Sequence, residues 1–365
     1  MLRRLAFVPL VAALLLTSCD SSSDADSAEA TSTATATEAA TEPASTATET
    51  TEATTEAAAE AGFPVTLEHA FGSTEITERP ERIAGVEWGN HDVVLALGVV
   101  PVGMPRMTYG DEDGDGVLPW AEDALAALGV SEDDWPVLFD ETEGIAFEQV
   151  AGVTPDVILS SYSGLTPEEY DILSGIAPTV AYPDKPWYTS WRDMALINAT
   201  AMGMRPEAEA LVARIEARIE EAKAAHPEVV GKTFTFGYID PENTTEVTVF
   251  NDARSELLEE FGMTQSPNIA ALFEGTEDFN ASLSAEQVQL IDSDILVLYG
   301  DENTLAMLQA DPLLSTIPAV RSGAVAVIID GSPMASAIGG ITVLSLDWVL
   351  DDYFGLFADA AAKVQ

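Results

Sequence analysis

Residues 147–183 read FEQVAGVTPDVILSSYSGLTPEEYDILSGIAPTVAYP, a segment in which helix-like stretches alternate with short apolar runs. The apolar run at 155–159 follows the helix-like stretch at 147–151, and the run at 178–180 follows the stretch at 170–176. Strands that alternate with helices along a chain are typical of a parallel sheet covered on both faces. This segment therefore predicts an α/β fold.

The same alternation continues on both sides of this segment, from about residue 82 to 103 and again from 233 to 329. Between these two series, Pro206 begins a predicted helix that ends near Ala225 and is about 30 Å long at 1.5 Å per residue. Its apolar residues repeat with the spacing of one helical face, at Ala208, Leu211, Val212, Ile215, Ile219 and Ala222. The predicted fold is thus two parallel-sheet α/β lobes joined by a single long helix, with a ligand groove between the lobes.

The chain divides into five predicted parts. They are a signal peptide at 1–18, an acidic tether at 19–61, an N-terminal α/β lobe at 62–190, bridging helices at 191–226 and a C-terminal α/β lobe at 227–365. The tether is almost entirely Ala, Thr, Ser and Glu. Such a composition cannot bury enough apolar surface to offset the entropy of ordering the chain, so we expect the tether to be disordered.

The N-terminus has the pattern of an export signal. Arg3 and Arg4 precede the apolar run at 5–16, which is too short to span a bilayer as a helix. The sequence LTSC at 16–19 resembles a bacterial lipobox, and Cys19 is the only cysteine in the chain. We therefore expect an extracytoplasmic protein that is anchored to the cell membrane through a lipid on Cys19.

Composition and motifs exclude several classes of function. The formal net charge is −47, which disfavours nucleic acid as a partner. The three histidines, His69, His91 and His226, show neither metal-ligand spacing nor a nucleophile motif, and no glycine-rich phosphate loop is present. These observations favour a binding protein over an enzyme, and any energy for transport must come from a partner ATPase.

Four segments resemble the iron-siderophore and cobalamin class of ABC-transporter substrate-binding proteins, the cluster with a bridging helix. Besides 147–183, they are RIAGVEWGNHDVVLALGVVPVG at 82–103, LSAEQVQLIDSDILVLY at 283–299 and DPLLSTIPAVRSGAVAVI at 311–328. The resemblance extends from about residue 65 to 353. It implies a monomer whose lobes barely move relative to each other and bind ligand at the carboxyl ends of both sheets.

The resemblance also implies a function and partners. We expect the protein to capture a ferric siderophore and deliver it to an ABC import permease and its ATPase. In such proteins one surface glutamate on each lobe meets arginines of the permease, and the matching residues here are Glu148 and Glu286. An acid in the first turn of a helix is stabilised by the helix dipole in any case. Cobalamin or haem is the alternative ligand, and a calcium-stabilised surface scaffold or adhesin is the alternative class.

Aromatic and cationic residues in the loops after predicted strands are the candidates for ligand contact, because a ferric siderophore presents oxygen acceptors and flat or apolar surfaces. They are Trp88, Arg106, Tyr109, Tyr162, Trp187, Tyr188, Arg192, Tyr238, Arg254 and Tyr299. Each is also suited to packing or to a surface ion pair. The three arginines favour an anionic or oxygen-rich siderophore over cobalamin or haem, and the sequence does not choose between hydroxamate and catecholate.

Residues 111–122 have the oxygen-ligand spacing of an EF-hand loop, with acids at positions 1, 3, 5 and 12 and glycine at position 6. The predicted calcium ligands are Asp111, Asp113, Asp115, the carbonyl of Val117 and Glu122. No helix is predicted before the loop, unlike in an EF-hand. The alternatives are a structural calcium site that supports the loop carrying Arg106 and Tyr109, and a solvated acidic turn.

Overall fold

The computed structural model describes residues 62–241 and 243–364 of the chain. The predicted signal peptide at 1–18, the predicted lipid-modified Cys19 and the predicted tether at 19–61 lie outside the described residues. Within the described part of the chain, none of the helices has the length and apolar composition needed to cross a bilayer.

The N-terminal half contains an antiparallel hairpin and a five-stranded parallel sheet. Its strands, in chain order, are β1 (Val65–His69), β2 (Gly72–Ile76), β3 (Ile83–Gly85), β4 (Gly103–Pro105), β5 (Val137–Phe139), β6 (Val157–Ser160) and β7 (Thr179–Ala181). β1 pairs with β2, and the sheet has the order β5-β4-β3-β6-β7. Every residue of β6 and β7 is buried, as expected for parallel strands with helices on both faces.

The C-terminal half is built on a second sheet. Its strands are β8 (Thr233–Asp240), β9 (Asn243–Phe250), β10 (Thr264–Gln265), β11 (Asn280–Ser284), β12 (Ile295–Gly300) and β13 (Val325–Ile329). They are arranged in the order β11-β9-β8-β12-β13, with β10 also paired to β8. The predicted α/β fold class is confirmed, but this sheet is mixed, because β9 runs antiparallel to β8 and β11. Too few residues separate β8 from β9 for a parallel crossover, so an antiparallel pair is the only connection available.

Helices flank both sheets. They are α1 (Asn90–Ala96), α2 (Pro119–Ala127), α3 (Phe147–Gly152), α4 (Pro167–Ser174), α5 (Trp191–Ala201), α6 (Arg205–Ala225), α7 (Ala253–Glu260), α8 (Pro267–Phe273), α9 (Thr304–Ala310), α10 (Pro318–Ser322), α11 (Pro333–Gly339) and α12 (Val343–Ala361). Short 3-10 helices span Glu132–Asp134, Ala285–Leu290 and Leu314–Thr316.

The long bridging helix is α6, and its predicted apolar face is confirmed. The structure buries all six predicted positions, Ala208, Leu211, Val212, Ile215, Ile219 and Ala222. The helix begins one residue before Pro206, where the missing proline N–H leaves no intrahelical bond unmade. At the edge of this face, Arg218 forms ion pairs with Asp347 and Asp351 of α12.

Helix α12 joins the two halves a second time. It packs against α1 and α2 of the N-terminal half and against β12 and β13 of the C-terminal half. One continuous hydrophobic cluster therefore runs from Val93 and Trp120 through Leu346 and Phe354 to Phe234. Full burial of each large apolar side chain contributes about 1.5–3 kcal/mol. Separating the lobes would expose part of this shared core, so we expect them to behave as one rigid unit.

Candidate ligand groove between the lobes

Trp88 lies where the loop after β3 meets the C-terminal half. A Cβ added to Gly340 would come within 3.2 Å of the indole, so the absence of a side chain at Gly340 makes room for the ring. Trp88 is 38% exposed, which leaves part of the ring open to solvent between the lobes. The residue before it, Glu87, has a φ of 56°, a left-handed conformation that non-glycine residues rarely adopt.

An aromatic pair forms the wall of the groove on the N-terminal lobe. The rings of Tyr162 and Trp187 meet edge to face, with centroids 5.4 Å apart. The backbone N–H of Trp187 donates a hydrogen bond to the carbonyl of Ser163 at 2.9 Å, which ties together the two loops that carry the rings. Trp187 is 45% exposed and Tyr188 is 68% exposed, so both present apolar surface to solvent.

An arginine surrounded by aromatic rings forms the opposite wall, on the C-terminal lobe. The guanidinium of Arg254 lies 4.1 Å from the ring centroid of Phe250 and 5.1 Å from that of Phe236. It donates a hydrogen bond to the Tyr299 hydroxyl at 3.3 Å and is paired with Asp252, the N-cap residue of α7. Burial lowers the pKa of Arg254, but its hydrogen bonds to Asp252 and the carboxylate charge more than offset this, and the pKa lies above its ordinary value.

The two walls are close enough to interact electrostatically. Burial raises the pKa of Tyr162, and the charge of Asp252 raises it further while that of Arg254 lowers it. A tyrosine of the N-terminal lobe therefore lies within electrostatic range of a charged pair on the C-terminal lobe. The predicted groove between them would offer aromatic faces and one partly buried guanidinium.

Two polar contacts cross from lobe to lobe beside these walls. The Tyr109 hydroxyl donates a hydrogen bond to Asp330 at 2.7 Å, and burial together with this bond raises the pKa of Tyr109 to about 12. Lys185 Nζ lies 2.8 Å from Glu277 Oε1 on the solvent-exposed surface. Tyr109 thus takes part in interlobe contact, in addition to any contact with ligand.

The other two predicted arginines are paired elsewhere. Arg106 is exposed and donates to the carbonyl of Asp115 at 2.8 Å, which turns it toward the acidic loop. Arg192 lies 2.7 Å from Glu216 and 2.7 Å from Glu260, and it stacks over the ring of Trp191. Ligand contact by Arg106 or Arg192 stays a prediction. Tyr238, on β8, is 37% exposed, and its role also stays a prediction.

Several residues at the groove were missed in the sequence. Asp252, Phe250 and Phe236 complete the setting of Arg254. Glu141 lies two residues after the end of β5, and its Oε2 accepts a hydrogen bond from the Glu87 N–H at 2.9 Å. Glu141 was missed because only aromatic and cationic residues were selected and because β5 was not among the predicted strands.

The predicted calcium loop brings three of its acids together. Ligand atoms of Asp111, Asp113 and Asp115 all lie within 4.8 Å of one another. Asp111 accepts hydrogen bonds from the N–H groups of Gly114 and Gly116 at 2.8 and 2.9 Å. Burial and a hydrogen bond to Asp115 raise the pKa of Glu122 to about 7, which places its carboxyl beside the cluster.

The two predicted docking glutamates are both exposed. Glu148 lies in the first turn of α3, and Glu286 lies in the first turn of the 3-10 helix Ala285–Leu290.

Comparison with known proteins connects this geometry to a family. Residues 83–330 match the family model described as periplasmic binding protein. The crystal structure of PiaA from Streptococcus pneumoniae TIGR4 in complex with ferrichrome has 40% identity and a TM-score of 0.76, with 82% of this chain and 99% of that chain covered.

Two Bacillus subtilis proteins are similar at lower identity. The putative ABC transporter substrate-binding lipoprotein YhfQ is 24% identical, covering 64% of this chain and 69% of that protein. The probable siderophore-binding lipoprotein YfiY is also 24% identical, covering 64% and 68%. These findings confirm the resemblance found in the sequence. Because the family model spans more than half of the chain, and PiaA is matched over nearly its whole length, this protein belongs to the periplasmic binding protein family.

Proposed function

We propose that this protein captures a ferric siderophore outside the cytoplasm and delivers it to an ABC import permease with its ATPase. The observation that carries the proposal is the pair of facing walls, Tyr162 with Trp187 on one lobe and the ring-stacked Arg254 on the other. The ferrichrome complex of PiaA, at 40% identity, supports the same ligand class. The role is that of a carrier, and no chemical step is assigned to the groove.

Arg254 is suited to hold the oxygen atoms of an iron chelate. A guanidinium has five N–H donors in a fixed plane. The bonds to Asp252 and Tyr299 use all three nitrogen atoms but leave hydrogens on the terminal ones. Because the pairing with Asp252 holds the side chain in place before ligand arrives, binding loses little additional entropy.

The charges of the groove favour a neutral ferric hydroxamate. Three hydroxamates neutralise Fe³⁺, whereas three catecholates leave a net charge of about −3, which would have to be desolvated. Arg254 is already neutralised by Asp252, and Lys185 by Glu277. Asp330 adds a further acid at the lobe junction. The sequence alone suggested an anionic or oxygen-rich ligand, and the pairing of these cations shifts the proposal toward the oxygen-rich, uncharged kind.

The experiment is tryptophan fluorescence quenching of the purified protein by four ligands: ferrichrome, a ferric tris-catecholate, haem and cobalamin. We expect saturable quenching at micromolar or lower ferrichrome and none with its iron-free form. Tight binding of only the catecholate would overturn the charge argument. Tight binding of only haem or cobalamin would replace the ligand while keeping the family. His91 is buried against Asp92 at 3.3 Å, which gives no support to a histidine-ligated haem.

We also propose a structural calcium site at residues 111–122. The loop contains five carboxyl groups, which repel each other unless a cation or a proton is bound. Burial, a hydrogen bond to Asp115 and the neighbouring carboxylate charges raise the pKa of Glu122 to about 7. Calcium would stabilise the loop that Arg106 holds through Asp115. Calorimetric titration of calcium into metal-stripped protein tests the site. We expect a measurable heat of binding and a higher melting temperature at millimolar calcium. The absence of both would mean that the loop is a solvated acidic turn.

Docking and anchoring complete the proposal. Glu148 and Glu286 would meet arginines of the permease. A lipid on Cys19 would hold the carrier at the membrane. The carrier would act as a monomer with lobes at 62–190 and 227–365. Substituting Glu148→Gln and Glu286→Gln together should leave siderophore affinity unchanged and reduce uptake by cells. Unimpaired uptake would remove both residues from the docking surface. Mass spectrometry of the mature N-terminus would show whether Cys19 is acylated.

A further inference from the structure

A half-buried pair of glutamates, Glu87 and Glu141, lies on the N-terminal lobe next to the loop that carries Trp88. Glu87 follows β3 and Glu141 follows β5. Glu141 Oε2 accepts a hydrogen bond from the Glu87 N–H at 2.9 Å, and Glu87 Oε2 accepts one from the Gly164 N–H at 2.6 Å. These bonds form a chain from the loop after β5, through the loop that carries Trp88, to the loop that carries Tyr162.

The second oxygen of Glu141 has no compensating partner. Glu141 Oε1 is buried and makes no hydrogen bond. Among the described residues, no lysine, arginine or histidine forms an ion pair with Glu87 or Glu141. Desolvating a carboxylate that has a single N–H donor and no cation nearby is costly, so such a group retains its proton.

The charged and titratable groups around the pair are acidic, apart from the exposed Arg106. Glu169 of α4 and Tyr182 interact electrostatically with Glu87, while the charge of Arg106 acts on Asp140. Burial, opposed by the hydrogen bond from Gly164, raises the pKa of Glu87. Burial and the charge of Glu87 raise the pKa of Glu141 to about 8.

We propose that Glu87 and Glu141 together carry at most one negative charge at neutral pH and position the groove loops, so that siderophore affinity falls in alkaline solution. This inference rests on the proposed function. Glu141 is a positioning residue, because it acts on ligand through Glu87 and Trp88. The left-handed backbone of Glu87, at φ 56°, is consistent with this role, since such a conformation persists only where the surroundings hold it.

Loss of the proton would disturb both loops. A second buried negative charge would repel the first and would leave Glu141 Oε1 as an unsolvated carboxylate oxygen. Ligand lying over Trp88 would exclude more water from the pair and raise its pKa further. Binding would then take up a proton, and affinity would fall by up to about tenfold per pH unit above the pKa of the free protein.

The test is the affinity for ferrichrome from pH 6 to 9.5, measured by tryptophan quenching on the full protein. We expect wild-type protein to bind at least fivefold more weakly at pH 9 than at pH 7. In Glu141→Gln the amide cannot ionise, and we expect less than a twofold change over this interval. The matched control is Glu143→Gln, an exposed residue of the same loop, which should keep the wild-type profile. A flat wild-type profile, or a Glu141→Gln profile that still falls, would overturn the inference.

A measurement without ligand separates this inference from the proposed function. A carboxyl whose pKa is raised on folding makes the folded state less stable as pH rises from its unfolded value toward its folded one. Thermal unfolding of wild-type protein should therefore lose stability relative to Glu141→Gln between about pH 5 and 8. The infrared difference spectrum between wild type and Glu141→Gln at pH 7 should show a protonated-carboxyl band that belongs to Glu141, in addition to any band that both proteins share. If both readouts behave in this way while ferrichrome fails to bind at any pH, the ligand assignment is wrong, but the conclusion that the glutamate pair holds a proton at neutral pH is retained.

Discussion

Replacing Arg254 with methionine separates ligand binding from fold stability. The guanidinium is 19% exposed and its partner Asp252 is 21% exposed, so the pair is largely but not fully desolvated. Breaking a fully buried pair costs about 3–5 kcal/mol, and with this residual exposure we expect about 2–3 kcal/mol. Methionine keeps an apolar stem against Phe250, so most of the loss comes from the stranded Asp252 carboxylate.

The affinity loss has a different origin. A hydrogen bond from a charged donor is worth about 1.5–3 kcal/mol, which corresponds to a weakening of about 10- to 150-fold. The double variant Arg254→Met with Asp252→Asn removes the stranded charge, and asparagine still caps α7. Quenching titrations and urea unfolding of the single and double variants should show stability recovered and affinity still low. A double variant that binds ferrichrome as tightly as wild type would refute a direct role of Arg254 in ligand binding.

Three further substitutions test other parts of the structure. Trp187→Ala should weaken ferrichrome binding by about 2- to 10-fold, because an aromatic contact of about 0.5–1.5 kcal/mol is lost, while urea unfolding should show little change for this half-exposed residue. Phe354→Ala should lower the free energy of unfolding by about 3–5 kcal/mol, since the ring is fully buried and stacks on Phe261 with ring centroids 4.1 Å apart. The control is Asp352→Ala, at an exposed residue of the same helix, which should leave the free energy of unfolding nearly unchanged. Thr342→Val removes the N-cap of α12 and the hydrogen bond of 2.7 Å to buried Asp92. The free energy of unfolding should fall by about 2–4 kcal/mol. A fall below about 0.5 kcal/mol would mean that water replaces both bonds.

Local patterns in the sequence predicted the long helix and the most buried strands, but not the β1–β2 hairpin, β5, β10 or β11. The repeat of apolar residues along α6 predicted both the helix and the face that the structure buries. The alternation of apolar runs and helical stretches predicted the α/β class. The antiparallel edge of the second sheet depends on the short β8–β9 connection, and a strand pattern alone carries no information on strand direction.

The candidate site was predictable in its residue types but not in their pairing. Arg192 and Arg254 are similar in the sequence, since each lies among aromatic residues close to a predicted helix. Folding brings Arg192 to Glu260, which is 68 residues away, and places Arg254 against Phe250 and Tyr299. Only these distances show that Arg192 pairs with acids of α6 and α7, whereas Arg254 packs among aromatic rings.

The sequence by itself determined the alternation of buried strands and helices, the long bridging helix and the set of aromatic and charged residues at strand ends. These features depend on backbone preferences and periodic burial, which neighbouring residues in the chain report. Tertiary structure alone decided how the lobes are held together, through α12 and through contacts such as Tyr109 with Asp330, 221 residues apart, and Asp92 with Thr342, 250 residues apart. It also decided which carboxyl groups are buried without a cation, because desolvation and charge pairing depend on distances in space that no local pattern encodes.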